Sequence, residues 1–244
     1  MDIRSRYLGT LLGAIWALLF PFINIALIYV VMTYGLKVGG LVGDVSYVNW
    51  LVPGMLAWFF ISEAVTTSVN AIVESPHLVT KMQFPLRLLV PVKIFAAVPV
   101  HALLVVVFAI FLAVTGAGSM VYWPQLLYYL FSASLLILGI GYLTAATQVF
   151  VRDTASVIGV MVQILFWATP IFWKPDLIAA SKFSFLLYSP FAYIINGYRD
   201  SLFGGVAFWH RPFETAVFWI ITLTLLILGV VFFERVRPHF ADVL

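Results

Sequence analysis

Charged residues fall along this chain in clusters, and the intervals between the clusters are long and apolar. Thirty uncharged residues separate Arg6 from Lys37, 18 separate Asp44 from Glu63, and 58 separate Lys93 from Arg152. A further 20 lie between Asp153 and Lys174, and 19 between Glu214 and Glu234. A bilayer core takes about 20 apolar residues per helical crossing, so each interval reads as a span and the longest as two. Gly116, Gly118 and the pair Trp123-Pro124 divide that longest run, because Gly and Pro punctuate helices and Pro suits a first helical turn. The pattern predicts an all-α membrane protein in one domain, 1–244, with six transmembrane helices. They fall at about 9–34, 49–72, 90–115, 124–149, 154–173 and 213–234. Runs such as Leu103 to Val107 lack the strict alternation that the strands of a closed barrel require.

Composition sharpens this picture. Hydrophobic residues make up 64% and charged residues 9%, with a mean hydropathy of +1.09. These values exclude a soluble globular domain and a disordered chain. The chain has no cysteine, which excludes disulfide scaffolds and thiol chemistry. The net charge of +3 reads as a topology signal, with no nucleic-acid partner implied. An even number of spans puts both termini on one side. That side carries Arg4, Arg6, Lys81, Arg87, Lys93, Arg152, Arg235 and Arg237. The other carries Lys37, Lys174, Lys182, Arg199 and Arg211. The positive-inside rule therefore places both termini in the cytoplasm. The first apolar stretch is too long for the core of a cleavable signal peptide.

Two connections are unusual. The first runs from Glu74 to Pro85 on the cytoplasmic side. Ser75 is a good N-cap and Pro76 fits the first helical position, while Leu78, Val79 and Met82 share one face before Phe84-Pro85 ends the helix. A short amphipathic cytoplasmic helix at about 75–84 is expected. It either lies on the headgroups or docks as a knob into a groove of a soluble partner. The second connection, 174–212, is too short for two more spans and too apolar for a solvated loop, and Ser189-Pro190 breaks it. A re-entrant pair of half-helices, about 174–203 and before the last span, fits better than two helices lying flat, because broken helices recur at transport pathways.

Glu63 lies ten residues past Pro53, about 15 Å along the helix and close to the bilayer midplane. With Thr67, Asn70 and Glu74 it forms one polar stripe, either a structural seam or a group that handles substrate or protons, with His101 as a possible partner. Trp58, Phe59, Phe60, Phe166 and Trp167 sit too deep for the interfacial belt to which Trp50, Tyr122 and Trp123 are assigned. Aromatic faces at that depth either pack on neighbouring helices or stack on sugar rings in a wet channel. Gly9 and Gly13 form a GxxxG spacing. The chain has no GxxxxGK[ST], HExxH or GxSxG, its four histidines are dispersed, and no internal repeat stands out. Nucleotide and metal cofactors are therefore not expected in this chain.

Several motifs in order resemble those of polysaccharide-exporting ABC transporter permeases. They are Arg6-Tyr7, Leu8-Gly9, Trp16 and Pro21 near the start, then Lys81-Met82-Gln83-Phe84-Pro85 and Phe150-Val151-Arg152-Asp153. After these come Thr169-Pro170-Ile171-Phe172-Trp173, Ser189-Pro190-Phe191 and Gly197-Tyr198-Arg199-Asp200-Ser201-Leu202. Two departures stand out. Only six residues precede Tyr7, where the family usually has a longer amphipathic helix, and Ser189 stands where Asn commonly precedes the Pro.

The resemblance implies a bacterial inner-membrane exporter subunit working as a homodimer above two copies of a P-loop ATPase, which would bind ATP and Mg. It implies that Ser75, Pro76, His77, Leu78, Val79, Lys81, Met82 and Phe84 form the coupling helix, with Arg152 and Asp153 as a second contact. Trp58, Phe60, Glu63, Phe166, Trp167, Phe172 and Trp173 would line a channel for a lipid-linked polysaccharide of O-antigen type. Pro190, Phe191, Tyr193 and Arg199 would belong to the outer gate. A drug or lipid exporter of the same superfamily shares this plan. An intramembrane enzyme using Glu63 or His101 as acid or base is the alternative of a different class.

Overall fold

The computed structural model describes residues 13–38, 40–76 and 85–243. Helix α1 (Gly13–Val30) continues through one π-helical turn, Val31–Gly35. A small antiparallel hairpin follows, β1 (Leu41–Val42) with β2 (Val45–Ser46), in the register Leu41↔Ser46 and Val42↔Val45. Ser46 then caps α2 (Tyr47–Val69): its backbone is extended and its Oγ accepts the Asn49 N–H at 3.4 Å. Next come α3 (Leu89–Thr115), α4 (Gln125–Phe150) and α5 (Thr154–Ala168). A single short turn, α6 (Asp176–Ala179), precedes α7 (Pro190–Phe203) and α8 (Pro212–Val236). The chain is thus helical apart from one short hairpin among the described residues.

Among the described residues, four helical stretches are long and apolar enough to cross a membrane: Tyr47–Val69, Leu86–Thr115, Gln125–Phe150 and Pro212–Phe240. Leu19–Gly35 and Thr154–Ala168 are shorter apolar helices. Helix α2 has the lowest hydropathy of the four long helices and is the most buried of them. Polar side chains at membrane depth favour protein or water over lipid, so the least apolar helix occupies the centre. It packs on α1, α3, α4, α5 and α7.

Helices α4 and α8 approach each other closely through glycine. A Cβ on Gly139 would lie 2.7 Å from the Leu226 backbone nitrogen, and one on Gly229 would lie 2.5 Å from the Gly139 carbonyl oxygen. Lipid supplies no hydrophobic drive for helix association, so close backbone approach through small residues supplies the dispersion contacts instead. At the end of the bundle opposite the hairpin, the Tyr142 hydroxyl donates to the Arg87 carbonyl at 2.8 Å. Glu234 pairs with Arg87 at 3.1 Å and with Arg237 at 3.2 Å. After α8 the helix continues as a 3-10 segment, Arg237–Asp242, and buries Phe240 against Phe150 and Phe233.

Three details differ from the sequence expectations. The fifth helix ends at Ala168, five residues short of 173. Pro170 has no N–H to continue it, and Thr169 before it takes the extended conformation (φ −87°, ψ 143°). The second helix ends at Val69 with Asn70 as its cap residue, so the stripe from Glu63 does not run on to Glu74. Glu74 lies beyond the helix and pairs with Lys93 at 2.9 Å. The segment before Ser189 holds no half-helix of its own: it contains only α6 and a 3-10 stretch, Ser184–Tyr188.

Replacing Gly139 with Leu should push α4 and α8 apart and cost about 1–3 kcal/mol by overpacking. A thermal melt of the purified chain followed by tryptophan fluorescence checks this, and an unchanged melt would refute the close-packing account.

Candidate functional site

Helix α7 begins where Ser189-Pro190 was expected to break the chain. The Ser189 Oγ accepts the Ala192 N–H at 3.2 Å, and Pro190 occupies the first helical position. At 14 residues α7 is about 21 Å long, less than the thickness of a bilayer core. Its buried side is nearly continuous from Ala192 to Leu202.

Arg199 is the centre of that side. It is 6% exposed, and its guanidinium donates to three backbone carbonyls: Nε to Trp50 at 3.1 Å, Nη1 to Pro170 at 2.8 Å and Nη2 to Ile171 at 2.7 Å. Nη1 also donates to Asn196 Oδ1 at 3.1 Å, and the guanidinium carbon lies 3.6 Å from the centre of the Trp50 ring. The planar five-donor fork of Arg suits carbonyls arriving from several directions, and the indole face adds a cation–π contact. Gly54 leaves the space, since a Cβ there would lie 2.8 Å from Nη2. The neighbouring Tyr47 hydroxyl donates to the Phe172 carbonyl at 2.6 Å. Two motifs remote in the chain, Thr169–Trp173 and Gly197–Leu202, therefore meet at the first turns of α2.

The rest of the second motif is equally engaged. Gly197 admits the Tyr129 ring, which any Cβ there would overlap. The Tyr198 hydroxyl lies 2.8 Å from His101 Nε2, and Asp200 pairs with Arg211 at 3.0 Å. The Ser201 hydroxyl donates to the Gly197 carbonyl at 2.6 Å, and Leu202 is fully buried. Tyr193 joins α7 to its neighbours: its hydroxyl lies 3.0 Å from those of both Tyr128 and Thr215, and its ring stacks on Phe218. The Trp219 Nε1–H donates to the Tyr128 hydroxyl at 2.9 Å.

The expected channel residues divide into two groups. Trp58 and Phe60 are 4% and 2% exposed, so in this conformation they belong to the core of the protomer and do not form a free wall. Trp58 packs on Phe166 and Phe191, and Phe60 on the His101 ring. Phe172 is also buried. Trp167 is 59% exposed, and its carbonyl accepts the Trp173 Nε1–H at 3.0 Å. Glu63 is exposed and borders a cavity of about 190 Å³ between α1, α2 and α3, which His101 also lines. His101 bonds to Tyr198 through Nε2, and its Nδ1 has no hydrogen-bond partner among the described residues, so the expected pairing with Glu63 is not formed. The hydroxyls of Ser62, Thr66 and Thr67 donate to carbonyls of their own helix. Beyond Phe59 the less buried strip of α2, Ser62, Glu63, Thr66 and Thr67, is polar and leads to the cap residue Asn70.

At the opposite end, the elbow between α4 and α5 is held by Gln148. Its Nε2 donates to the Arg152 carbonyl at 3.1 Å, and its Oε1 accepts the Ala155 N–H at 2.8 Å. Arg152 and Asp153 are exposed at this elbow. Ser75 and Pro76 lie at the same end of the bundle, while His77, Leu78, Val79, Lys81, Met82 and Phe84 fall outside the described residues. No group of three metal-ligating side chains occurs among the described residues.

Sequence reasoning missed the receptors of Arg199. Trp50 reads as a belt residue, and nothing local marks Tyr47 and Gly54. The one available signal was an Arg placed just after the apolar run Phe191 to Ile195 in a segment expected to enter the membrane, where a charge demands partners.

A bundle of apolar helices packed around the least apolar of them, with the short buried helix α7 at one end, has the character of a multi-pass membrane protein. Residues 2–203 match the family model of the ABC-2 type transporters, and the chain belongs to that family. It is similar to two O-antigen export system permease proteins RfbA of Klebsiella pneumoniae. They are 22% and 23% identical over 246 residues, covering 100% of this chain and 92% of each relative. It is also similar to the O-antigen export system permease protein RfbA of Myxococcus xanthus, 24% identical over 205 residues, which is 81% of this chain and 75% of the relative. The chain is accordingly a transport component and not an enzyme, which sets aside the intramembrane-enzyme alternative.

Substituting Arg199 by Lys keeps the charge but cannot serve three divergent carbonyls. Carbonyls left unpaired cost about 1–3 kcal/mol, so R199K should melt measurably lower than the parent chain in the same detergent. An equal melting temperature would show that the clamp contributes nothing to stability.

Proposed function

We propose that two copies of this chain form the membrane channel of an ATP-driven exporter of lipid-linked polysaccharide, of the O-antigen type, in a bacterial inner membrane. The observation that carries the substrate class is the similarity to O-antigen export permeases along the whole chain. In this reading all six expected helices cross the membrane. Helix α1 reaches across with its π-helical turn, and α5 is completed by the extended residues that follow it. Helix α7 is the re-entrant element, and the termini, the 75–84 segment and the Arg152-Asp153 elbow face the cytoplasm. The full sequence assigns eight basic residues, Arg4, Arg6, Lys81, Arg87, Lys93, Arg152, Arg235 and Arg237, to that side against five on the other, which supports the orientation.

The surface of the protomer supports the homodimer. Helix α5 has no buried residue, and Val157, Val160, Met161, Ile164 and Trp167 are all exposed. Helix α1 exposes Trp16, Phe20, Ile23, Leu27 and Val30. Both pack on α2, whose polar strip lies on its less buried side. A strip of that polarity calls for protein or water over lipid, and a second copy facing α1, α2 and α5 would enclose it as a wet path. Glu63, Phe166, Trp167 and Trp173 would border the path. Trp58, Phe60 and Phe172 would support it from the core. Pro190, Phe191, Tyr193 and Arg199 would hold the outer gate.

A separate P-loop ATPase would bind ATP and Mg, and its closure would drive the coupling helix 75–84. Recovery of the tagged chain from its own membranes in mild detergent should bring a P-loop ATPase in equal amount. Replacing Leu78 or Met82 with Glu should abolish that recovery while membrane insertion persists, and undiminished recovery would sink the coupling role. A cysteine replacing Glu63 in this cysteine-free chain should react with a membrane-impermeant thiol reagent. Persistent protection in the assembled complex would place the strip in a dry seam.

A further inference from the structure

At the hairpin end an open groove of about 560 Å³ lies between the last turns of α1 and the start of α2, and Tyr47, whose hydroxyl binds the Phe172 carbonyl beside the Arg199 clamp, forms part of its wall. Tyr29, Thr33, Gly40, Leu41, Ser46, Tyr47 and Val48 border it. We propose that this groove is a subsite for a pyranose ring, which docks against the Tyr29 face and is hydrogen-bonded from the groove rim.

Four observations carry the assignment. First, the volume falls within the range of small-molecule sites, about 300–1,000 Å³. Second, the aromatic walls are held in place. The Tyr34 ring meets Tyr29 edge-on at 6.3 Å and 85°. Tyr47 is stacked on Trp50 at 6.0 Å and anchored by its hydroxyl to the Phe172 carbonyl. Apolar C–H faces of a sugar pack well on such rings, while the phenol offers a polar edge.

Third, polar capacity converges on the same space. Thr33 lies inside the π-helical turn Val31–Gly35, and π turns within helices are frequent at functional sites. Ser46 Oγ accepts the Asn49 N–H, which leaves its own proton to donate. Lys174 Nζ donates to the Leu41 carbonyl at 3.1 Å, which brings further ammonium protons to the rim. Fourth, the groove opens at the bundle end that carries α7, the exit side of the channel in the export reading.

The choice of a sugar as occupant rests on that reading, whereas binding is measurable without it. The full chain in lipid nanodiscs is titrated with the methyl pyranosides of mannose, galactose and N-acetylglucosamine, and with cyclohexanol as an apolar ring control. Saturation-transfer NMR reads the contact. The expected result is saturation of the ring C–H protons of at least one glycoside, exceeding that of cyclohexanol. Tyr29→Phe should retain the signal, and Tyr29→Leu, which keeps bulk but loses the aromatic face, should reduce it about 2- to 10-fold. A tryptophan-fluorescence melt verifies that each variant is folded. Absence of glycoside saturation, an equal signal from cyclohexanol, or an undiminished signal in Y29L overturns the proposal. If glycosides bind but no ATPase accompanies the chain, the export reading fails and the groove stands. If the ATPase is recovered and no glycoside binds, the reverse holds.

Discussion

The buried guanidinium of Arg199 is the constraint on which the hairpin end of this molecule depends. A charge taken out of water is tolerable only with its donors satisfied, and here three main-chain carbonyls and an indole face do so. Each acceptor belongs to a different problem. The Pro170 and Ile171 carbonyls are exposed because α5 has just ended. The Trp50 carbonyl lies in the opening turns of α2, where Gly54 leaves room for the guanidinium to approach. One side chain on α7 reaches both sets of carbonyls and in doing so ties three elements together.

That tie gives the two ends of the bundle different characters. The hairpin end is cross-linked by side chains: the Arg199 cradle, Tyr47 on Phe172, and the hydroxyl chain through Tyr128, Tyr193 and Thr215. The opposite end is held by ion pairs around Glu234, by the Gln148 brace at the α4–α5 elbow and by the buried Phe240. Between them, α1 and α5 contribute little to the core. In a transporter this distribution is useful: the tightly packed helices provide the frame, and the loosely packed ones are available to face another subunit or the cargo.

The aromatic residues illustrate how burial redistributes roles. Density of aromatics suggests stacking surfaces, yet Trp58 and Phe60 pack into the protomer core. Trp167, close to Trp58 through the shared neighbour Phe166, remains exposed. Depth along the helix is readable from sequence; rotation about the helix axis is set by what packs against it. The apolar helices have weak amphipathicity, so periodicity carries little information on which side turns inward.

By itself the sequence determined the helical membrane class, the placement of most helices to within a few residues, the break at Ser189-Pro190 and the absence of a nucleotide motif. These follow from local physics: the length of apolar runs, the missing N–H of proline, and the capping chemistry of serine. It also marked Glu63 as a residue that needs protein or water around it. Only the tertiary structure decided who the partners are. His101 meets Tyr198 and not Glu63. Arg199 meets carbonyls 28, 29 and 149 residues away in the chain. The fifth helix stops at Ala168, and the carbonyls beyond it become ligands for α7. Main-chain carbonyls have no sequence signature, and long-range pairing is a property of the packed bundle; these contacts exist only once the helices have assembled.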